Sequence, residues 1–150
     1  MVQDGISCPL TKGEQILVAL DGSQHTDAVV GQAISMGRIC KSVIHLMSVI
    51  DFIPRISEIG SQLEKKLSKE ARNFLKNVKS RIEKENIVCK TIVRIERQPH
   101  EAIVNEAKKK NIDLIIIGTR GKTKLEKMLV GSVAQKVIGT APCPVMVVPV

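Results

Sequence analysis

Residues 113–117 read DLIII, a short run dense in β-branched side chains and without polar alternation. Such a run fits a strand buried on both faces. A strand with no water-facing side must lie between layers of helices, which restricts the chain to an α/β sheet before any other segment is read. The run breaks on Gly118 and Gly121, crosses a basic segment (Arg120, Lys122, Lys124) and meets a second small pair, Gly131-Ser132. Glycine lets the backbone approach a ligand without a Cβ in the way. A Ser at a helix start leaves outward-pointing N–H groups where an anion can bind. Two small-residue turns with positive charge between them can therefore cradle a phosphate chain.

The other segments supply the layers. Met1 to Gly13 shows no periodicity and reads as a loose N-terminal extension, with residues 14–150 as one domain. Ile16 to Leu20 is a strand stopping on Asp21-Gly22-Ser23, where Ser23 is the expected N-cap of a helix. The stripe Ala28, Val29, Ala33, Ile34 and Met36 carries that helix to Gly37. A strand over 43–50 follows. Ile59, Leu63, Leu67, Ala71, Phe74, Leu75, Val78 and Ile82 then fall at helical spacing and predict a long amphipathic helix. Ile87 to Ile95 is a third strand, and Pro99 opens a helix with Ile103, Val104 and Ala107 on its face. After the glycine loop come a helix over 132–138 and a closing strand over 145–150. Strand and helix alternate throughout, predicting a doubly wound parallel sheet covered on both faces. Ligands in such sheets bind at the carboxyl ends of the strands, where the strand order reverses. If the first and fourth strands flank that point, Asp21 and Gly118 share one crevice.

Composition narrows the chemistry. A net charge of +8 suits anionic partners, but two Phe with no Tyr or Trp leave no platform for base stacking, which argues against nucleic acid. Much of the charge lies between Lys65 and Arg94, interleaved with Glu, as on a solvated helix face. Cys8, Cys40, Cys89 and Cys143 lack metal-ligand spacing and read as unpaired thiols of a reducing cytoplasm. No apolar run reaches the ~20 residues of a membrane span, and no signal-peptide pattern opens the chain. His25, His45 and His100 have no Ser or Cys partner at useful spacing, so no catalytic or metal residue is assigned. Neither a Walker A loop nor G-x-G-x-x-G occurs.

What remains is G-x-x-G, nine residues, then G-S, as GTRG, KTKLEKMLV and GS. With ILVALDGS near the start and APCPVMVVPV at the end, these segments resemble the universal stress protein family over about residues 15–150. The resemblance implies a Rossmann-like, five-stranded doubly wound domain of strand order 3-2-1-4-5. It also implies a homodimer through the last strands and an ATP site, with Mg²⁺ on the phosphates and ADP or AMP as other occupants. Carried over by position, Asp21 contacts the adenine or ribose side, with Ala19 and Leu20 lining the pocket beside it. Val49 offers backbone groups to the adenine edge. Ile117 and Gly118 pass under the ribose, Arg120 and Gly121 approach the phosphates, and Gly131, Ser132 and Val133 bind them by backbone N–H. Lys122 and Lys124 read as solvated.

Two departures stand out. Ala134 replaces a hydroxyl residue common in the family's ATP binders, removing a phosphate hydrogen bond of about 1.5–3 kcal/mol if charge-assisted. Arg97 stands where the family commonly has Gly, an exchange expected to narrow or recharge the pocket edge. The implied function is a nucleotide-dependent regulatory protein of stress response; the alternatives are a slow ATPase and an apo interaction module with a decayed site.

Overall fold

The computed structural model describes residues 5–52, 58–120 and 130–150. Its elements are β1 (Gln15–Ala19), α1 (Thr26–Cys40), β2 (Val43–Ile50), α2 (Glu58–Glu83), β3 (Cys89–Ile95), α3 (Pro99–Lys109), β4 (Leu114–Gly118), α4 (Ser132–Thr140) and β5 (Val145–Val148). All pairings are parallel, and the five strands lie in the order β3-β2-β1-β4-β5. The expected doubly wound sheet is therefore present.

Strand periodicity divides the core in two. Ile16, Val18, Ile44, Leu46 and Ile116 face α1 and α2, packing with Val30, Ala33, Leu75, Val78 and Ile82. Their neighbours Leu17, Met47, Ile115 and Ile117 face α3 and α4, packing with Ile103, Ala107, Ala134 and Val137. The run over 114–117 is buried throughout, as a strand with helices on both sides must be. Each fully buried Leu or Ile contributes about 1.5–3 kcal/mol relative to exposure.

Several boundaries differ from expectation, each for a local reason. Ser23 does not cap α1; the N-cap is His25, and the Ser23 carbonyl instead accepts a hydrogen bond from the Thr26 hydroxyl at 2.8 Å. Gly37 does not end α1, which runs on to Cys40 and closes on left-handed Lys41. A Cβ at Gly37 would lie 3.0 Å from Ile44 Cδ1, so this glycine lets the helix pack closely on β2. In α2 the apolar stripe is buried only at its carboxyl end: Leu75, Val78 and Ile82 are in the core, while Ile59 is 79% and Leu63 43% exposed. The first half of this helix overruns the sheet.

The cysteine expectation is corrected. Cys8 and Cys40 form a disulfide that ties the N-terminal segment to the end of α1, and Cys89 and Cys143 are the free thiols. Burial pushes the Cys89 thiol up to about 12, with Glu83 adding to the shift, and burial also raises Cys143. Neither has the character of a reactive thiolate. Among the described residues no helix is long and apolar enough to cross a membrane.

Candidate functional site

The strand order reverses between β1 and β4: β1 connects through α1 to β2 on one side, while β4 lies on the other. A cavity of about 620 Å³ opens at the carboxyl ends of these strands. It is built from the carboxyl ends of β1, β2 and β4 and the N-terminus of α4, with α2 on one flank.

The β1–α1 turn is held by its own side chains. Asp21 Oδ1 accepts the Ser23 N–H at 2.9 Å, and Ser23 Oγ accepts the His25 N–H at 3.3 Å. Gly22 supplies the left-handed φ of 76° that the turn requires. Asp21 therefore does act as a turn residue, yet it also lines the cavity, and its carboxylate has a second oxygen with free lone pairs.

The β4 turn is fastened at Thr119. Its N–H donates to the Val148 carbonyl at 2.9 Å, its Oγ1 accepts the Val150 N–H at 3.1 Å, and its carbonyl accepts the Gly131 N–H at 2.6 Å. One residue thus joins β4, the chain end and the start of α4. A Cβ at position 131 would lie 3.2 Å from the Thr119 carbonyl oxygen, tighter than ordinary side-chain contacts. Glycine is what allows this approach.

The third part is the N-terminus of α4. Gly131, not Ser132, is the N-cap; no side chain caps the helix, and its first turn holds no acidic residue. Helix N-termini expose unpaired N–H groups carrying partial positive charge. The Gly131 N–H is taken by the Thr119 carbonyl, so Ser132 and Val133 are the residues of this turn whose N–H groups favour an anion along the cavity.

Charge is distributed unevenly around the walls. Arg120 lines the cavity near the β4 turn, whereas Asp51 and Glu70 line it near β2 and α2, with Asp21 between. Leu67, Ala71 and Phe74 of α2 add an apolar wall beside Glu70. The arrangement can hold a ligand that is anionic at one end and flat and apolar at the other. Among the described residues no cluster of three or more His, Cys, Asp or Glu is arranged to hold a metal ion.

Ten of the eleven expected positions share this cavity: Ala19, Leu20, Asp21, Val49, Ile117, Gly118, Arg120, Gly131, Ser132 and Val133. The eleventh, Gly121, lies outside the described residues, as do Lys122 and Lys124. Ala134 lines the cavity and is 3% exposed, so the departure from a hydroxyl residue falls on the wall itself. Arg97 does not: it is exposed on the β3–α3 turn and forms no part of the lining, while Pro99 does. Of this turn, Pro99 rather than Arg97 forms the wall.

Sequence reasoning missed Thr119, although it sits inside the GTRG segment, and it missed the α2 wall. The signal for the wall was present in the stripe at Leu67, Ala71 and Phe74, which reads equally well as core.

Known proteins place this geometry. A universal stress protein of Methanocaldococcus jannaschii, MJ0531, is 36% identical over 142 residues, covering 90% of this chain and 81% of that one. The solved structure of MJ0577, a universal stress protein of the same organism, superposes with a TM-score of 0.83 at 32% identity, covering 92% of this chain and 96% of that one. A universal stress protein of Archaeoglobus fulgidus in complex with dAMP shares the fold at a TM-score of 0.65 and 22% identity, covering 90% and 97%. Residues 13–149 match the universal stress protein family, and with the sheet order and these relatives agreeing, the chain belongs to that family.

Proposed function

We propose that the protein binds ATP in the rim cavity and acts as a nucleotide-dependent regulatory protein in a homodimer. The observation that carries the reading is the convergence of the β1, β2 and β4 turns and the uncapped α4 N-terminus on one cavity of nucleotide-compatible size. The triphosphate would lie along the N–H groups of Ser132 and Val133, passing close over Gly131, with Arg120 beside it. The ribose would pass over Ile117 and Gly118. The adenine would sit against Ala19, Leu20 and the backbone of Val49, with Asp21 at the sugar edge. The spacing of GTRG to GS supports the same assignment. Mg²⁺ would ride on the phosphates, since it commonly binds through substrate phosphates with one or two carboxylates. That a family member binds dAMP supports an adenine nucleotide as the ligand class; ADP and AMP fit the same site. β5 is an apolar edge strand, and pairing it with a second copy would cover the exposed edge. A cytoplasmic location accords with a pool of such nucleotides.

Titration calorimetry with Mg-ATP tests the site. Gly131→Glu places a side chain against the Thr119 carbonyl and a negative charge at the α4 N-terminus, so affinity should fall at least 100-fold, about 2.7 kcal/mol. Unchanged affinity would remove the phosphate assignment. A wild-type protein that ignores Mg-ATP altogether would favour an apo interaction module.

A further inference from the structure

The family match begins at residue 13, so Cys8 lies outside it and Cys40 inside. The bridge between them therefore ties a residue before the matched segment to one within it. Cys8 and Cys40 are both partly accessible to solvent, whereas the free Cys89 is buried. Gly13 fits so closely against the bridge that a Cβ there would lie 2.6 Å from Cys8 Sγ and 2.9 Å from Cys40 Cβ. The Gly13 carbonyl accepts a hydrogen bond from the buried Ser42 hydroxyl, and the Glu14 carbonyl accepts the Val43 N–H at 2.8 Å. These bonds fix the chain from Gly13 onward without help from the disulfide. Residues 5–12 form no strand or helix, and Leu10 is only half-buried against the core. The bridge is thus the strongest attachment of residues 5–12, and it lies at the amino end of the sheet, away from the cavity.

We propose that Cys8–Cys40 is a redox latch: oxidised, it pins residues 5–12 across the end of α1; reduced, it releases them while the domain stays folded. The reductant is a dithiol. One thiolate attacks a sulfur of the bridge, forming a mixed disulfide and freeing the other cysteine. The second thiol of the reductant then displaces the remaining cysteine, so the reductant leaves as a disulfide and the protein gains two thiols. Disulfides are rare in reducing compartments, and those that occur there are commonly of this transient, sensing kind.

The test uses the full chain, oxidised and after treatment with dithiothreitol, with backbone ¹⁵N NMR order parameters for residues 5–12 and the fold by circular dichroism. Reduction should lower the order parameters of these residues from about 0.85 to below about 0.6 with the circular dichroism spectrum unchanged. Cys8→Ser should show the low values with or without reductant. Gly13→Ala should shift the thiol–disulfide equilibrium in dithiothreitol toward the thiols. The proposal is overturned by any of three results: both cysteines alkylate in protein purified without reductant; the bridge yields only when the domain unfolds; or the order parameters of residues 5–12 are indifferent to reduction.

Discussion

The two faces of the sheet are built from alternate residues of the same strands, yet they differ in chemistry. The face under α1 and α2 is largely apolar, closed by Leu75, Val78 and Ile82, with Ser48 as the buried polar residue at its cavity end and no buried charge among the described residues. The face under α3 and α4 admits polar groups at its rim. His45 is 4% exposed and shares a 2.7 Å hydrogen bond with Gln15 Oε1, leaving its Nδ1 without a partner among the described residues. Glu106, 5% exposed, meets Arg94 Nη2 at 3.1 Å and Lys110 Nζ at 3.7 Å. The reason is the covering helix. α3 has 11 residues and must close its face beside edge strand β3, whereas the other face takes Leu75, Val78 and Ile82 from the carboxyl half of α2 as well as the stripe of α1. Where apolar cover runs out, charged side chains whose heads reach water complete the rim.

Breaking the apolar face should cost the most. Leu75→Ala, at a fully buried position, is expected to lose about 2–5 kcal/mol in urea unfolding. Glu106→Ala should lose less, about 1–2 kcal/mol. Removing one member of a buried ion pair is severe when its partner is stranded in the core. Here the partners stay wet, with side chains 45% and 33% exposed. An equal loss for the two variants would show that the rim charges are core, and the contrast between the faces would fail.

A smaller effect should appear with pH, and only on the polar face. Burial lowers the pKa of His45, Lys110 and Lys90 lower it further, and Glu106 opposes them. The unfolded chain, with an ordinary His pKa near 6.5, therefore takes up a proton before the folded chain does. Stability should be fully present above that pH and fall as the pH drops from there toward the folded value. His45→Gln should flatten this part of the profile. If it leaves the slope intact, another group sets the acid sensitivity.

The smallest change is expected at the surface. Asp27 and Arg81 pair at 2.8 Å with side chains 80% and 50% exposed, so Asp27→Ala should alter stability by no more than about 0.5 kcal/mol.

The sheet, its parallel sense and the turns of the site were legible because each rests on local pattern. The run at 113–117 announces a doubly covered strand, and glycines mark where chain meets cavity. What escaped depends on where other elements end. Periodicity places Ile59 and Leu63 on the same stripe as Leu75, but it does not say that the sheet stops before the helix does. Ser23 has the right identity for a cap, yet the turn uses it two residues too early. Cys8 and Cys40 meet only because the segment before β1 passes the end of α1, a tertiary fact with no trace in their spacing. Arg97 matched a family position, while the direction of its turn decided that it faces water.

The pairing of β1 with β4 carries a consequence for how the chain is made. These strands meet across 98 residues of sequence, as in the 2.9 Å bond from the Gln15 N–H to Asp113. Contacts between segments so far apart form slowly, because a long loop must close before they contribute. β1 with β2, and β2 with β3, can assemble from nearer neighbours while β4 is still unmade. The cavity, however, straddles the β1–β4 seam, and no earlier substructure contains both halves of it. A growing or half-folded chain therefore has nothing with which to hold the ligand of this site. A ligand of this cavity would therefore find both halves of its site only after β1 and β4 have paired.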